Sequence, residues 1–191
     1  CSQNYTIRLA AGNVINFTVI VNDTSGNINQ SEFAGGVIGQ IVNVQNLNCT
    51  KLNKANTVYN MNGNASSEGT CFYVLANNIT LDCKGFEINY SQSVVGYAVN
   101  NSGYNYSTIK SCNIVQADIA SDKTAAYGIY IFKNLAANTV FNNTIETRGI
   151  NSYGVYLFQQ VYNNSVYGNN ITTRGIANAY GVVLDTTVYN N

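Results

Sequence analysis

From residue 127 onward the chain repeats itself with a period of 26 to 27 residues. The segments that begin at Tyr127, Tyr153 and Tyr180 read YGIYIFKNLAANTVFNNTIETRGINS, YGVYLFQQVYNNSVYGNNITTRGIANA and YGVVLDTTVYNN. Aliphatic residues alternate with polar or aromatic ones in each segment, which is the period of a β-strand and not of a helix. A repeat of this length that is built from strands predicts a solenoid, with one coil per repeat.

Superposing the repeats stacks like residues on one another. The alternation directs Ile129 and Ile131 inward, and Val155 and Leu157 take the same two positions in the next coil. The other stacked sets are Val182 with Leu184 on those positions, Val140 on Val166, Ile145 on Ile171, Asn143 on Asn169, and Asn138 on Asn164 and Asn191. Amides about 4.8 Å apart can hydrogen-bond along the stack while they hold the left-handed or bridge conformations of turns.

Earlier coils follow the same template. STIKSCNI at 107–114 matches NTVFNNTI at 138–145, and GTCFYVLANNITLDCKGFEI at 69–88 forms a coil before it. These motifs together resemble the right-handed parallel β-helix repeat family, which includes pectate-lyase-like proteins. The likeness is greatest to archaeal secreted and cell-surface members. The resemblance covers 49–191 and implies an all-β, right-handed parallel β-helix; the family includes lyases, hydrolases, adhesins and surface-layer components.

Residues 1–48 show no repeat but contain strand-like runs at 5–9, 14–21 and 37–47. We expect an N-terminal β cap or small β module there, because the first coil otherwise leaves a sheet edge and an apolar core end open. At the other terminus, 188–191 match 161–164, so the sequence stops within a coil. This predicts either a longer polypeptide or head-to-tail stacking into a filament or array, and we favour assembly.

The sequon Asn-x-Ser/Thr is over-represented. Asn occurs 33 times, and chance predicts roughly 5 sequons, whereas the chain has 13. An Asn-rich solenoid could produce such triplets at its turns, but six precede residue 70, where no solenoid repeat is visible. We therefore expect covalent N-linked glycans, and no other cofactor, on Asn4, Asn16, Asn22, Asn29, Asn48, Asn64, Asn78, Asn89, Asn100, Asn105, Asn142, Asn163 and Asn170.

The chain has five cysteines, no C-x-x-C spacing and no His, which is unfavourable for zinc or haem. A disulfide framework in an oxidising, extracellular compartment explains them better. Because Cys83 and Cys112 lie on consecutive coils, we expect them to pair, and Cys49 to pair with Cys71; a Cys71–Cys83 bridge is the alternative. Cys1 is then left free or bonded to an external partner.

Charge excludes two classes of partner. Nine basic and nine acidic residues give zero net charge without clustering, so we expect neither nucleic acid nor an anionic membrane as a partner. The longest apolar candidate, 14–21, is interrupted by Asn16 and Thr18 and is far shorter than the ~18 residues of a membrane span.

The β-helix enzymes provide the rival interpretation. Lyases of this kind need clustered carboxylates for calcium and a basic residue, and hydrolases need paired carboxylates. This chain has no His and no adjacent acidic pair, so we expect no catalytic residue and no metal site. Its acidic residues in the coils occupy different template positions, apart from two in one insertion: Asp82, Glu87, Asp118, Asp122, Glu146 and Asp185.

Two other patterns admit a binding interpretation. Arg148 and Arg174 align in T-R-G-I segments, and their guanidinium groups repel unless an anion lies between them, which could be Glu146, a glycan acid group or a sulfated partner. The alternative is that the two side chains are extended and separately solvated, and we favour it. The outward tyrosines could stack on sugars, but stacking on one another explains them without a ligand; they are Tyr127, Tyr130, Tyr153, Tyr156 and Tyr180.

The sequence thus favours a structural or adhesive glycoprotein of the cell surface, within a filament, surface layer or similar assembly. Its expected partners are copies of itself or other surface proteins, with glycans as a further class. The alternative is a carbohydrate-active β-helix protein, a polysaccharide lyase, a hydrolase or a glycan-binding module, whose active coils lie outside this stretch.

Overall fold

The computed structural model describes residues 48–117, 124–133, 136–186 and 191, together with the backbone of three short strands within 18–43. These parts of the chain form nineteen strands and no helix. In chain order the strands are β1 (Thr18–Asn22), β2 (Ile28–Glu32), β3 (Gln40–Asn43), β4 (Lys51–Leu52), β5 (Thr57–Asn60), β6 (Ala65–Ser66), β7 (Phe72–Val74), β8 (Ile79–Asp82), β9 (Glu87–Tyr90), β10 (Val99–Ser102), β11 (Thr108–Lys110), β12 (Asn113–Gln116), β13 (Ile129–Phe132), β14 (Thr139–Phe141), β15 (Thr144–Thr147), β16 (Val155–Phe158), β17 (Ser165–Tyr167), β18 (Asn170–Thr173) and β19 (Val182–Asp185).

The strands form a parallel β-solenoid of about five turns. Sheet 1 contains β4, β7, β10, β13, β16 and β19; sheet 2 contains β3, β5, β8, β11, β14 and β17; sheet 3 contains β6, β9, β12, β15 and β18. Each coil crosses sheets 1, 2 and 3 in turn, and each strand of these sheets pairs in parallel with its counterpart in a neighbouring coil. The predicted all-β solenoid is confirmed. No segment described here forms a helix with the length and apolar character to cross a membrane.

The register between coils is the one that the repeats predict. Ile129 pairs with Val155 in sheet 1, and Val155 pairs with Val182. The match of the earlier coils is also confirmed, since Thr108 lies between Thr80 and Thr139 in sheet 2. Because a slip of one residue would turn the apolar set outward, the inward aliphatic residues enforce this register.

The core is a stack of aliphatic columns, one or two from each sheet. The inward residues of sheet 1 include Ile129 and Leu157, which are fully buried. Sheet 2 contributes Leu81, Ile109 and Val140, and sheet 3 contributes Ile88, Ile114 and Ile145. Each such side chain stabilises the fold by about 1.5–3 kcal/mol relative to exposure to water.

Two ladders of Asn amides run along the turns, as the repeats predict. The Asn138 Nδ2 donates to Asn164 Oδ1 at 3.1 Å, and the Asn164 Nδ2 donates to Asn191 Oδ1 at 2.8 Å. In the second ladder the Asn143 Nδ2 donates to Asn169 Oδ1 at 2.9 Å. The buried Asn side chains therefore have partners from coil to coil, which removes the cost of burying them.

The left-handed backbone conformation lies one residue earlier than we expect from the sequence. The residues with positive φ are those just before the ladder positions, such as Ala137, Asn142, Asn163 and Gly168. The ladder Asn that follows each of them lies directly before the first residue of the next strand and is not itself in the left-handed region. The residue that adopts the left-handed turn conformation and the Asn that stacks in the ladder are thus two adjacent residues, not one.

Part of the segment assigned to the cap belongs to the solenoid sheet. β3 lies before residue 49 and pairs in parallel with β5, from Gln40 opposite Thr57 to Asn43 opposite Asn60. β1 and β2 pair antiparallel with each other. Sheet 2 therefore begins N-terminal to the predicted boundary at residue 49.

Candidate functional site

The outward side of sheet 1 carries three columns of aromatic side chains, which we call the aromatic face. The Tyr-Gly or Tyr-Ala step before each strand supplies one column, and the second and fourth strand positions supply the others. Its members are Tyr97, Tyr127, Tyr153 and Tyr180; Tyr73, Tyr130 and Tyr156; and Phe132 and Phe158. Glycine after the tyrosine keeps this corner tight: a Cβ on Gly154 would lie 2.4 Å from Ile171 Cγ2 and 2.6 Å from the Gly181 carbonyl oxygen.

The rings of the aromatic face stack on one another. Tyr127 lies between Tyr97 and Tyr153, with centroid distances of 5.4 and 5.1 Å and interplanar angles of 9° and 7°. Parallel rings this close cannot lie side by side in one plane, so their faces overlap with an offset. Their faces are consequently used within the column, and the structure supports the prediction that stacking explains the outward tyrosines. Each such pair contributes roughly 0.5–1.5 kcal/mol beyond its buried area.

The phenols of Tyr127, Tyr130 and Tyr156 stay neutral under ordinary conditions. Burial, reinforced by neighbouring phenols, raises the pKa of Tyr127 and that of Tyr130 to about 12 each. Tyr156 is 9 % exposed and its hydroxyl donates to Asp185 Oδ2 at 2.9 Å; burial and then this bond raise its pKa further. A neutral phenol is a hydrogen-bond donor and acceptor but a poor base or nucleophile, so this chemistry suits packing and binding.

The repeats did not predict that Tyr73 and Tyr97 extend two of these columns, or that Phe132 and Phe158, whose ring centroids lie 5.6 Å apart, form a third. A signal was present in the sequence. YAVNNS at 97–102 aligns with YGIYIF at 127–132, as the pairing of Val99 with Ile129 shows. The two Asn residues in that coil replace an outward tyrosine and an inward isoleucine and conceal the match.

The predicted glycosylation sites whose side chains the structure describes lie outside the core. Six sequon Asn residues are exposed and three are half-buried; the exposed ones are Asn48, Asn64, Asn78, Asn142, Asn163 and Asn170, and the half-buried ones are Asn89, Asn100 and Asn105. Asn4, Asn16, Asn22 and Asn29 fall where no side chain is described. The buried Asn residues of the described structure all lack a sequon: Asn101, Asn138, Asn143 and Asn164. Sequons and buried Asn are therefore segregated.

Turn geometry explains some sequons but not all of them. In Asn142-Asn143-Thr144 and Asn163-Asn164-Ser165, the first Asn has positive φ, the second belongs to a ladder and the third residue starts a strand. In contrast, Asn89 and Asn100 lie within strands, at outward positions of sheets 3 and 1. A turn makes no demand for Asn at those two positions.

Two disulfides join consecutive coils. Cys49 is bonded to Cys71, and Cys83 is bonded to Cys112, with Cα–Cα distances of 4.3 and 4.7 Å. These are the two pairings expected from the sequence. Cys1 lies outside the described residues. Disulfides of this kind are typical of an oxidising environment.

The strand carboxylates of the described chain are spread over the three sheets, and Glu87 and Glu146, which share sheet 3, occupy different register positions. Asp82 in sheet 2 is 4 % exposed and pairs with Lys84 at 2.7 Å and Lys110 at 3.2 Å. Burial opposes its ionisation, but hydrogen bonds from these lysines outweigh burial and lower the pKa of Asp82. Asp185 lies in sheet 1, and Asp118 and Asp122 are outside the described residues. Within the part that the structure describes, no group of three His, Cys, Asp or Glu side chains is placed to hold a metal ion.

Glu146 in sheet 3 lies between the two aligned arginines. Its Oε1 accepts from Arg148 Nε and from Arg174 Nε, both at 2.8 Å. The hydrogen bond from Arg148 is the main cause that lowers the pKa of Glu146, against partial desolvation and with help from Arg174. The favoured expectation of separate solvation is thus wrong: an acidic side chain of the protein itself separates the two guanidinium groups.

Comparison with protein-family models, with curated proteins and with solved structures finds no match to this chain. The β-solenoid and the composition of its faces are therefore the basis on which a function can be argued.

Proposed function

We propose that the protein is a structural or adhesive glycoprotein of the cell surface. The observation that carries this proposal is the segregation of Asn residues: the described sequons lie on the outside, and the buried Asn residues lack sequons. A glycan needs a solvent-exposed Asn, and selection for glycans produces this separation. The two disulfides support an extracellular location, since bonded cysteines persist in oxidising compartments.

The surface chemistry supports a structural role rather than catalysis. The ionised side chains of Asp82 and Glu146 are engaged by lysines and arginines of the same protein. The aromatic face uses its ring faces for stacking between coils. The partners that suit such a glycan-covered rod are copies of itself and other surface proteins, in a filament, surface layer or similar assembly.

Intact-mass measurement before and after enzymatic removal of N-glycans tests the glycoprotein proposal. The protein should be secreted from a host that N-glycosylates, and the same chain from a host without this pathway serves as the control. We expect the mass to fall by many glycans; occupancy of fewer than about four sites would show that the sequon excess is compositional.

Two further measurements test the structural role. Electron microscopy of native material should show the protein within filaments or a layer, and dispersed monomers would contradict assembly. Incubation with uronate-containing polysaccharides should leave the polymers intact. Release of shortened chains would instead favour the lyase or hydrolase alternative.

A further inference from the structure

The second column of the aromatic face is interrupted at one position. In register, the outward residues of sheet 1 run from Tyr73 through Asn100 to Tyr130 and Tyr156. Asn100 therefore takes the place of a ring between two tyrosines. It is also the first residue of the sequon Asn100-Asn101-Ser102.

The interruption has a defined length along the column. Tyr73 and Tyr130 are two strand spacings apart, about 9.6 Å, whereas the uninterrupted pair Tyr130–Tyr156 has centroids 5.5 Å apart. The distance between Tyr73 and Tyr130 along the column is therefore that of two ring-to-ring steps, and the column supplies no ring of its own at the level of Asn100. Tyr73 is 39 % exposed, and the ring of Tyr97 flanks the same space, 4.9 Å from that of Tyr130.

The amide of Asn100 is oriented for attachment of such a group. Its Oδ1 accepts a hydrogen bond from Ser102 Oγ at 2.6 Å. The amide nitrogen, which is the atom that bears an N-glycan, has no hydrogen-bond partner in the described structure. The attachment atom lies in the outward column, between the two tyrosines.

We propose that the first sugar of an N-glycan on Asn100 packs between Tyr73 and Tyr130 and completes the aromatic column. This inference rests on the proposed glycoprotein function. The C–H face of a pyranose ring is apolar and covers ring surface that is otherwise exposed to water. Because the sugar is covalently tethered, its packing does not lose the translational freedom that a free ligand would.

The glycan has a structural consequence here that the other described sequons do not share. It links the coils of β7, β10 and β13 through one outward column, and it shields part of an apolar surface that would otherwise favour association. Asn64 provides the contrast: its Oδ1 accepts from the Glu87 amide at 2.9 Å, and it lies at the start of sheet 3, away from the aromatic face.

Four variants test the proposal in the secreted, glycosylated protein. Ser102→Ala removes the Asn100 sequon, Ser102→Thr keeps both the sequon and a hydroxyl, and Ser66→Ala removes the Asn64 sequon as the matched control. Tyr73→Leu removes the aromatic ring on the coil that precedes Asn100. Site occupancy is measured by glycopeptide mass spectrometry and stability by the thermal midpoint, Tm.

We expect Ser102→Ala to lower Tm by about 2–4 °C and Ser102→Thr to leave Tm unchanged. Ser66→Ala should shift Tm by less than about 1 °C. In the Tyr73→Leu background the effect of Ser102→Ala should fall to less than half. The same Ser102→Ala change in protein from a host without N-glycosylation measures the loss of the Ser102 hydroxyl alone and should have a much smaller effect.

The outcomes separate this inference from the proposed function. Absence of glycans at every site contradicts the glycoprotein proposal itself. If other sites are occupied but Asn100 is not, only the present inference fails. It also fails if Ser102→Ala shifts Tm equally in both hosts, or if Tyr73→Leu leaves that shift unchanged.

Discussion

Replacement of Asn143 by Ala should strongly destabilise the solenoid. The Asn143 Oδ1 accepts from the Cys112 amide at 2.9 Å, and its Nδ2 donates to the Ile109 carbonyl at 3.1 Å and to Asn169 Oδ1 at 2.9 Å. Each bond contributes about 1 kcal/mol, and the orphaned Cys112 amide costs about 1 kcal/mol more, so we expect a loss of about 3–4 kcal/mol. For a chain of this size, that lowers Tm by roughly 10 °C.

Urea denaturation followed by circular dichroism measures this loss. Asn113→Ala is the control, because Asn113 is a half-buried Asn at the start of β12 that is outside any sequon. The Asn143→Ala change also leaves the sequon at Asn142 intact, so glycosylation is unaltered. The control should change the free energy of unfolding by less than about 0.5 kcal/mol. A difference between the two variants below about 1 kcal/mol would refute the argument that the buried amide ladder stabilises the coils.

Three more predictions address the corner, the phenols and the ionic cluster. Gly154→Ala should cost several kcal/mol, about 3 or more, because its Cβ would collide with the Gly181 carbonyl oxygen; a Tm within about 2 °C of wild type would contradict the tight corner. The pKa of Tyr127 is raised, so the folded state binds the phenol proton more tightly than the unfolded state does. The contribution of this group to the free energy of unfolding should be fully present below pH 10 and fall as pH rises from 10 to 12. In a pH titration, phenolate absorbance should appear at higher pH in the folded than in the unfolded protein. The pKa of Glu146 is lowered, so its contribution should be present above the unfolded value of about 4 and be lost as pH falls below it; the urea midpoints of wild type and Glu146→Gln should therefore differ at pH 7 and converge in acid, and a difference that is unchanged by acid would contradict this.

The inward columns could be predicted because they depend on one property, the alternation of apolar residues. Repeats that conserve this alternation, such as those starting at Tyr127 and Tyr153, can be superposed without gaps, and strand register then follows. The Asn ladders were predictable for the same reason. A buried Asn recurs at one template position only if its amide has a partner in the next coil.

The coil at 97–102 was harder to recognise because its inward column contains Asn101. This side chain is buried, donates to the Tyr104 carbonyl and the Asn138 Oδ1, and accepts from the Tyr104 amide. These local bonds replace the aliphatic packing that the template requires. A search for alternating apolar residues does not recognise a strand in which a hydrogen-bonded Asn replaces an inward aliphatic residue.

The arrangement of Arg148 and Arg174 depends on side-chain torsions that repeat alignment does not determine. Alignment places the two residues on adjacent coils, and both solvated and bridged arrangements fit that placement. The deciding factor is Glu146, whose carboxylate reaches both guanidinium groups at the same oxygen. The sequence offers Glu146 as one candidate for this position, but the choice between bridging and separate solvation follows only when the strand and the turn are built.

Because of the placement of the two disulfides, the two ends of the rod should differ in their resistance to mechanical unfolding. Each bridge holds neighbouring coils together at the N-terminal part of the solenoid, and the sequence has no cysteine after Cys112. Under tension along the chain, the residues enclosed by Cys83 and Cys112 cannot extend, whereas the later coils are held by noncovalent contacts alone. One of those later coils, the 27 residues from Val155 to its partner Val182, releases about 90 Å of extended chain when it detaches. A pulled molecule should therefore lengthen in steps from the uncrosslinked part and stop at the bridged coils, and in reducing conditions the stop should disappear.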